Sequence, residues 1–154
     1  MNKDVLFIIA KKLSLNDLVN FSQLDKKTYV RTEIWLHKLI TEYPNWKDFN
    51  LKKTLKKTYV TLYQLKKLKE KLNLKYNLLD LHNLQHIDLS VNQIKEIPKE
   101  IGQLHNLQHL YLSRNQIKEI PKEIGQLNNL QELTLGYNQI KEIPKEICQL
   151  YNLQ

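Results

Sequence analysis

The sequence predicts an α/β chain in two parts: a small all-α bundle, then a solenoid of short coils that each contribute one strand. Three observations carry this. A 23-residue unit recurs three times without a gap, at 81–103, 104–126 and 127–149, and a fourth opens at 150–154. Inside each unit the apolar spacing changes from two residues to three and four, a strand followed by a turn-rich return. Ahead of the repeats the spacing is helical and the charge is basic: residues 1–80 hold 17 Lys and Arg against 8 Asp and Glu, and residues 81–154 hold 7 against 8.

The unit reads L-x-x-L-x-x-[IL]-x-L-x-x-N-x-I-x-x-I-P-x-x-I-x-x. Leu110 and Leu112 of the second copy alternate with polar residues, as a strand with one buried face does. Ile117, Ile120 and Ile124 then follow at spacings of three and four. Pro98, Pro121 and Pro144 lack the N–H that a central strand must donate, so the return is not a sheet element. A chain that goes out and back with one apolar side must stack on copies of itself to hide that side.

This pattern resembles the leucine-rich repeat family in its 23-residue form, over residues 81–154. The resemblance implies a right-handed solenoid with a parallel β-sheet on its concave side. It also implies that Asn92, Asn115 and Asn138 form an asparagine ladder, with buried amides bonding backbone groups between coils. A buried amide without partners would cost roughly 1–3 kcal/mol, so such a residue needs them.

Copies one and two differ at three positions, copies two and three at six, and all three differ from one another only at the eighth and eleventh. The eighth carries Asp88, Tyr111 and Thr134, and the eleventh Val91, Arg114 and Tyr137. Position six changes in part (His86, His109, Glu132), as does position ten (Ser90, Ser113, Gly136). Read as strand residues flanking the inward leucines, these face away from the core. His86, Asp88, Val91, His109, Tyr111, Arg114, Glu132, Thr134 and Tyr137 are therefore the expected partner-binding face. Drift at positions that packing ignores is the competing explanation. Against it stands the return segment, expected to be equally exposed yet almost unchanged, although recent duplication also yields sameness.

Chemistry is sparse. His86 and His109 should lie roughly 5 Å apart on neighbouring strands, but with Asp88 they do not complete a zinc set, and no metal or other cofactor is expected. Phosphate-binding glycine loops, HExxH and nucleophile–base constellations are missing, so no enzymatic activity is expected. The lone Cys148 replaces the glycine (Gly102, Gly125) of the earlier copies and cannot form an internal disulfide. No apolar run approaches a membrane span of about 20 residues or a signal peptide. A cytoplasmic location is the expectation.

The N-terminal part is expected as a helical domain over 1–44. Val5, Leu6, Ile9 and Leu13 share one helical stripe. Ser14 or Asn16 can cap a second helix carrying Leu15, Leu18, Val19, Phe21 and Leu24, and Asp25 can cap a third that ends before Pro44. The order of Asp4-Val5-Leu6, Ile9, Leu13, Leu15-x-Asp17-Leu18, Ser22, Lys26-Lys27, Tyr29 and Trp35 is similar to an F-box, with Met1-Asn2 where that family opens on Leu-Pro. The resemblance implies docking on the Skp-type adaptor of a cullin–RING ubiquitin ligase through Val5, Leu6, Ile9, Leu13, Leu15 and Leu18. The alternative is a bundle that only seals the first coil.

Residues 45–80 are expected as a basic amphipathic linker or capping helix. Residues 47–75 carry ten Lys and two acidic residues, with Leu51, Leu55, Leu62, Leu65 and Leu72 on one face. A solvated linker face is the first reading and nucleic-acid binding the lesser one, because stacking aromatics are few. Leu72-x-Leu74-x-x-Asn77-x-Leu79 mimics the repeat's strand core and suggests a shortened capping coil. Together these features predict a protein–protein interaction adaptor, with a free-standing repeat binder as the alternative. The uncapped last coil suggests either a truncated array, support from a partner or self-association through that end.

Overall fold

The computed structural model describes residues 41–45 and 55–154. The expected F-box-like contacts Val5, Leu6, Ile9, Leu13, Leu15 and Leu18, and also Leu51, lie outside the described residues. The chain divides into two compact units, 1–62 and 63–154. In the first unit Tyr43 is buried, its ring set edge-on to Tyr59 at 5.8 Å. The Tyr59 hydroxyl donates to Glu42 at 3.0 Å.

Helix α1, Leu55–Lys71, contains no Gly or Pro and is dominated by Leu and Lys, good helix formers. Its buried residues Thr58, Thr61, Leu62, Leu65 and Leu68 fall at spacings of three, one, three and three, a stripe along one side. Leu68 belongs to that stripe and was missing from the expected face. The helix stops in a Schellman-type turn: Asn73 takes a left-handed φ of 48°, Leu74 N–H reaches Lys69 O, and Asn73 N–H reaches Glu70 O. Lys69 and Lys71 in the last turn complement the dipole there.

The segment after α1 is not a shortened coil. Asn77, expected at the place of the ladder asparagine, is instead the N-cap of helix α2, Leu78–His82, its Oδ1 accepting from Asp80 N–H at 2.8 Å. An asparagine followed by a short apolar run with Asp in the first turn satisfies capping chemistry as well as the repeat pattern, and here capping prevails.

Strands β1 (His86–Asp88), β2 (His109–Tyr111) and β3 (Glu132–Thr134) pair in parallel in chain order, each residue opposite the one 23 positions on. Each return runs extended through Pro98, Pro121 or Pro144 into a 3-10 turn: Lys99–Gln103, Lys122–Gln126 and Lys145–Gln149. The leucines and isoleucines of the repeat meet between the strands and the returns. Leu104, Leu107, Leu110, Ile117, Ile124, Leu127 and Leu130 are fully buried. This stacked, one-sided burial is what the repeat period demanded.

The expected asparagine ladder forms in two of its three members. Asn115 is buried; its Oδ1 accepts from the N–H groups of Asn92 and Ile94 in the preceding coil, and its Nδ2 donates to Leu89 O and Leu112 O. Asn138 repeats this with Ile117 N–H, Leu112 O and Leu135 O. Asn92 departs from the expectation. Its side chain is exposed and donates to Ser90 O in its own coil.

A second asparagine ladder escaped the sequence reading. Asn106, Asn129 and Asn152, at the third position of their units, donate from Nδ2 to the carbonyls of His82, His105 and Asn128 at 3.0, 2.7 and 2.8 Å. The signal was present: Asn stands at that position in every copy, 83, 106, 129 and 152. One ladder thus ties the turn after the strand and the other the turn before it.

The return segment is in part the free surface that was expected: its two Lys and its first Glu are exposed in every copy, while the first return also buries several letters. Pro98, Glu100 and Gly102 are buried. A Cβ on Gly102 would stand 2.7 Å from Glu123 O, and one on Gly125 2.6 Å from Glu146 O. Each return therefore presses its backbone on the next coil's. Packing accounts for the sameness of the Ile, Pro and Gly letters, whereas the exposed Lys and first Glu of each copy stay the same without it and still count against drift on the strand face.

Candidate functional site

The strands place side chains at the sixth and eighth positions of each unit outward and the seventh inward. Ile87 and Leu110 are buried, and the residues either side of them are exposed or half-buried. In-register pairing brings equivalent outward residues into rows. His86 and His109 stack face to face, ring centroids 4.2 Å apart and planes 11° from parallel. Next along β2, the Tyr111 hydroxyl donates to Glu132 Oε2 at 2.9 Å, across to β3. That hydrogen bond, together with the charges of Glu132 and Asp88, holds the Tyr111 phenol above its ordinary range. Asp88 accepts from Ser90 N–H at 2.8 Å, which holds its carboxyl below the usual range. Thr134 completes the eighth-position row.

Val91, Arg114 and Tyr137 require a correction. They are not strand residues: each strand ends three residues earlier, and all three sit on the following turn in the left-handed region, at φ 59°, 58° and 56°. Every coil uses that torsion where the chain turns from the sheet into the return, and the first coil uses it a second time at Gln93, φ 57°. They remain exposed, with Tyr137 at 82% and Val91 at 68%, and the Arg114 guanidinium lies 5.6 Å over the Tyr137 ring. The face is thus a strand patch (His86, Asp88, His109, Tyr111, Glu132, Thr134) flanked by a turn ridge (Val91, Arg114, Tyr137).

That ridge is conformationally expensive. A β-branched residue in the left-handed region costs on the order of 1–2 kcal/mol, whereas glycine carries no such penalty. Val91→Gly is accordingly expected to raise stability by about 1 kcal/mol in urea unfolding, despite removing a side chain. A loss of stability would show that Val91 packs more than its exposure indicates.

The histidine pair is stacked, and among the described residues no group of three or more His, Cys, Asp or Glu is placed to hold a metal ion. Cys148 is exposed on the last return. Among the described residues no helix is long and apolar enough to cross a membrane.

Glu100 is a residue whose role sequence reasoning missed. It is the second residue of the first 3-10 turn and is 3% exposed, and Lys71 Nζ donates to it at 3.0 Å while Lys67 Nζ stands at 3.7 Å. Burial opposes its ionisation, but the Lys71 hydrogen bond and the charges of Lys71 and Lys67 prevail and hold its carboxyl below the usual 4.5. Two of the helix's lysines thereby pair with the first coil, while their side chains stay about half exposed. Because the folded form is the weaker base, this clasp stabilises fully above the ordinary glutamate range and fades as pH falls through the depressed value. Glu100→Gln is expected to flatten the stability–pH curve below pH 4.5 and to lower stability at neutral pH by about 1–2 kcal/mol.

The geometry defines a class: a repeat solenoid whose coils share one parallel sheet and expose a patterned outer face. Residues 29–154 match the family described as "Leucine-rich repeat region", and the chain belongs to that family. The match reaches well ahead of residue 81, where the sequence reading began the repeats. Two solved structures are similar. A leucine-rich repeat protein of Leptospira interrogans is 41% identical over 51% of this chain and 26% of its own, with a TM-score of 0.44. The plant peptide hormone receptor RGFR1, solved in complex with RGF2, is 40% identical over 49% of this chain and 13% of its own, also with a TM-score of 0.44. The chain thus spans about a quarter and an eighth of those lengths. None of the curated proteins compared matches it.

Proposed function

We propose that the chain is a protein–protein interaction adaptor whose strand patch and turn ridge capture a protein partner. The observation that supports this best is the turn ridge. Three different non-glycine side chains are held, exposed, in a backbone conformation that penalises them, at the one position besides the eighth that differs in every copy. Packing does not ask for these side chains there, and drift alone would be expected to relax toward residues that tolerate the torsion. Tyr111, Arg114 and Tyr137 supply the aromatic and guanidinium groups that carry most of the energy in protein interfaces.

In the fuller form of the proposal, the N-terminal residues Val5, Leu6, Ile9, Leu13, Leu15 and Leu18 dock a Skp-type adaptor, and the repeats bring a target to a ubiquitin ligase by proximity. The F-box-like order of the sequence supports that part. Affinity capture followed by mass spectrometry tests the repeat face. Proteins recovered with the wild type should disappear when Tyr111, Arg114 and Tyr137 become alanine, each change weakening binding by about 2 kcal/mol. Undiminished recovery would refute the face. Pull-down with a Skp-type adaptor tests the other end: a folded Leu6→Asp/Ile9→Asp variant should lose the adaptor. Equal recovery of both proteins would leave a free-standing repeat binder.

A further inference from the structure

Coils hold one another through a two-pronged clasp. Asn115 Oδ1 accepts from Ile94 N–H at 2.9 Å, and the neighbouring Gln116 N–H donates to Ile94 O at 2.8 Å. The second coil thus grips both main-chain groups of one residue of the first. Asn138 and Gln139 grip Ile117 in the same way, at 3.0 and 2.9 Å. The first coil carries the same pair, Asn92 and Gln93, and both are exposed. Among the described residues nothing donates to Asn92 Oδ1 and nothing accepts from Gln93 N–H. Gln93 also departs from its row in torsion, with φ 57° where neither Gln116 nor Gln139 has a positive φ.

The empty clasp lines a groove of about 860 Å³. Its walls are the turn after α1 and the first coil from the end of β1 into the return, all within the second compact unit. Leu72 and Ile94 line it and are half-buried, whereas Ile117, the equivalent of Ile94 one coil on, is fully buried. Strand β1 pairs with β2 alone among the described residues. A strand edge beside a partly apolar groove accepts an extended chain, whose main chain supplies N–H and C=O groups for pairing. The lining lysines Lys71, Lys75 and Lys95 outnumber the carboxylates Asp88 and Glu96. Among the described residues Lys75 and Lys95 are in no ion pair, while Lys71 is held by Glu100.

We propose that this groove is a second docking site, which takes an extended acidic peptide segment of a partner protein. Asn92 and Gln93 hold the main chain of one peptide residue as Asn115 and Gln116 hold Ile94. Lys75 and Lys95 meet the carboxylates on either side of it, which fixes the class of partner more than it adds affinity. Of the strand patch and turn ridge, only Asp88 also lines this groove.

Fluorescence anisotropy of the full chain with a labelled peptide of alternating glutamate and valine tests the proposal. Wild type should bind this peptide, and a peptide of alternating lysine and valine at least about tenfold more weakly. Methylating every main-chain nitrogen of the glutamate peptide should cost about tenfold, the size of a lost hydrogen bond. Asn92→Ala should weaken the unmethylated peptide by about the same factor. Lys75→Glu/Lys95→Glu should do so by about tenfold or more. Tyr111→Ala/Arg114→Ala/Tyr137→Ala should bind the peptide as wild type does, so that failure of the groove and failure of the strand face read separately. Circular dichroism confirms that each variant is folded. A wild type that ignores the glutamate peptide overturns the proposal, as does equal binding of the lysine or methylated peptide. Wild-type affinity in either groove variant overturns it too, as does loss of the peptide in the triple variant.

Discussion

Asn115→Ala is expected to lower stability by about 3 kcal/mol, the largest effect of any single substitution proposed for this chain. Its amide satisfies two backbone N–H groups of the coil before it and carbonyls on both coils, all within the stack. Alanine leaves those groups without partners where water enters poorly, and unpaired buried groups cost about 1–3 kcal/mol each. The same substitution at Asn138 should cost about 1 kcal/mol, because its surroundings are half-exposed and water can replace it. At Asn92 the effect should stay within a few tenths, since only one exposed hydrogen bond is lost. Urea unfolding of the three variants checks the series. Equal losses would mean that the ladder stabilises through local turns and not through contacts between coils.

Gly125→Ala should lower stability by about 2 kcal/mol, the range for forcing a methyl group into a packed site. Gly125 is not needed for torsion, because no glycine among the described residues has a positive φ. It is needed for space. The new Cβ would meet Gln149 Oε1 at 2.8 Å and Glu146 O at 2.6 Å. The glutamine can swing away; the carbonyl moves only if the third coil moves with it. Cys148→Ala, at the same position one coil later, should change stability by less than about 0.5 kcal/mol because its side chain is exposed. Hydrogen exchange offers a second readout: in Gly125→Ala the amides of the third coil should lose protection before those of the first two.

Much of the fold was legible in the letters. A period of 23 with an alternating core segment leaves few other ways to bury Leu110, Leu112 and Ile117 than stacking, and the coordinates place all three in the interior. The candidate face was legible in part. Divergence between copies pointed to the eighth and eleventh positions, and both are exposed or half-buried, but a period-two count carried the strand too far. Backbone torsion is not encoded in hydrophobic spacing, so the turn at Val91, Arg114 and Tyr137 passed for strand. Asn77 illustrates the same limit, since a motif spaced for a ladder served a helix cap.

What the sequence determined by itself was the coil: its length, its inward residues, its proline-marked return and the number of times it repeats. These follow from local periodicity, which each copy states again. What only the tertiary structure decided were properties of the space between coils. The glycine that must remain bare, the asparagine that lacks a neighbour, the glutamate under two lysines and the isoleucine that is half-open in one copy and hidden in the next all carry identical local signals. They differ only in what stands a few ångströms away, and in a stack that depends on which coil comes before and after.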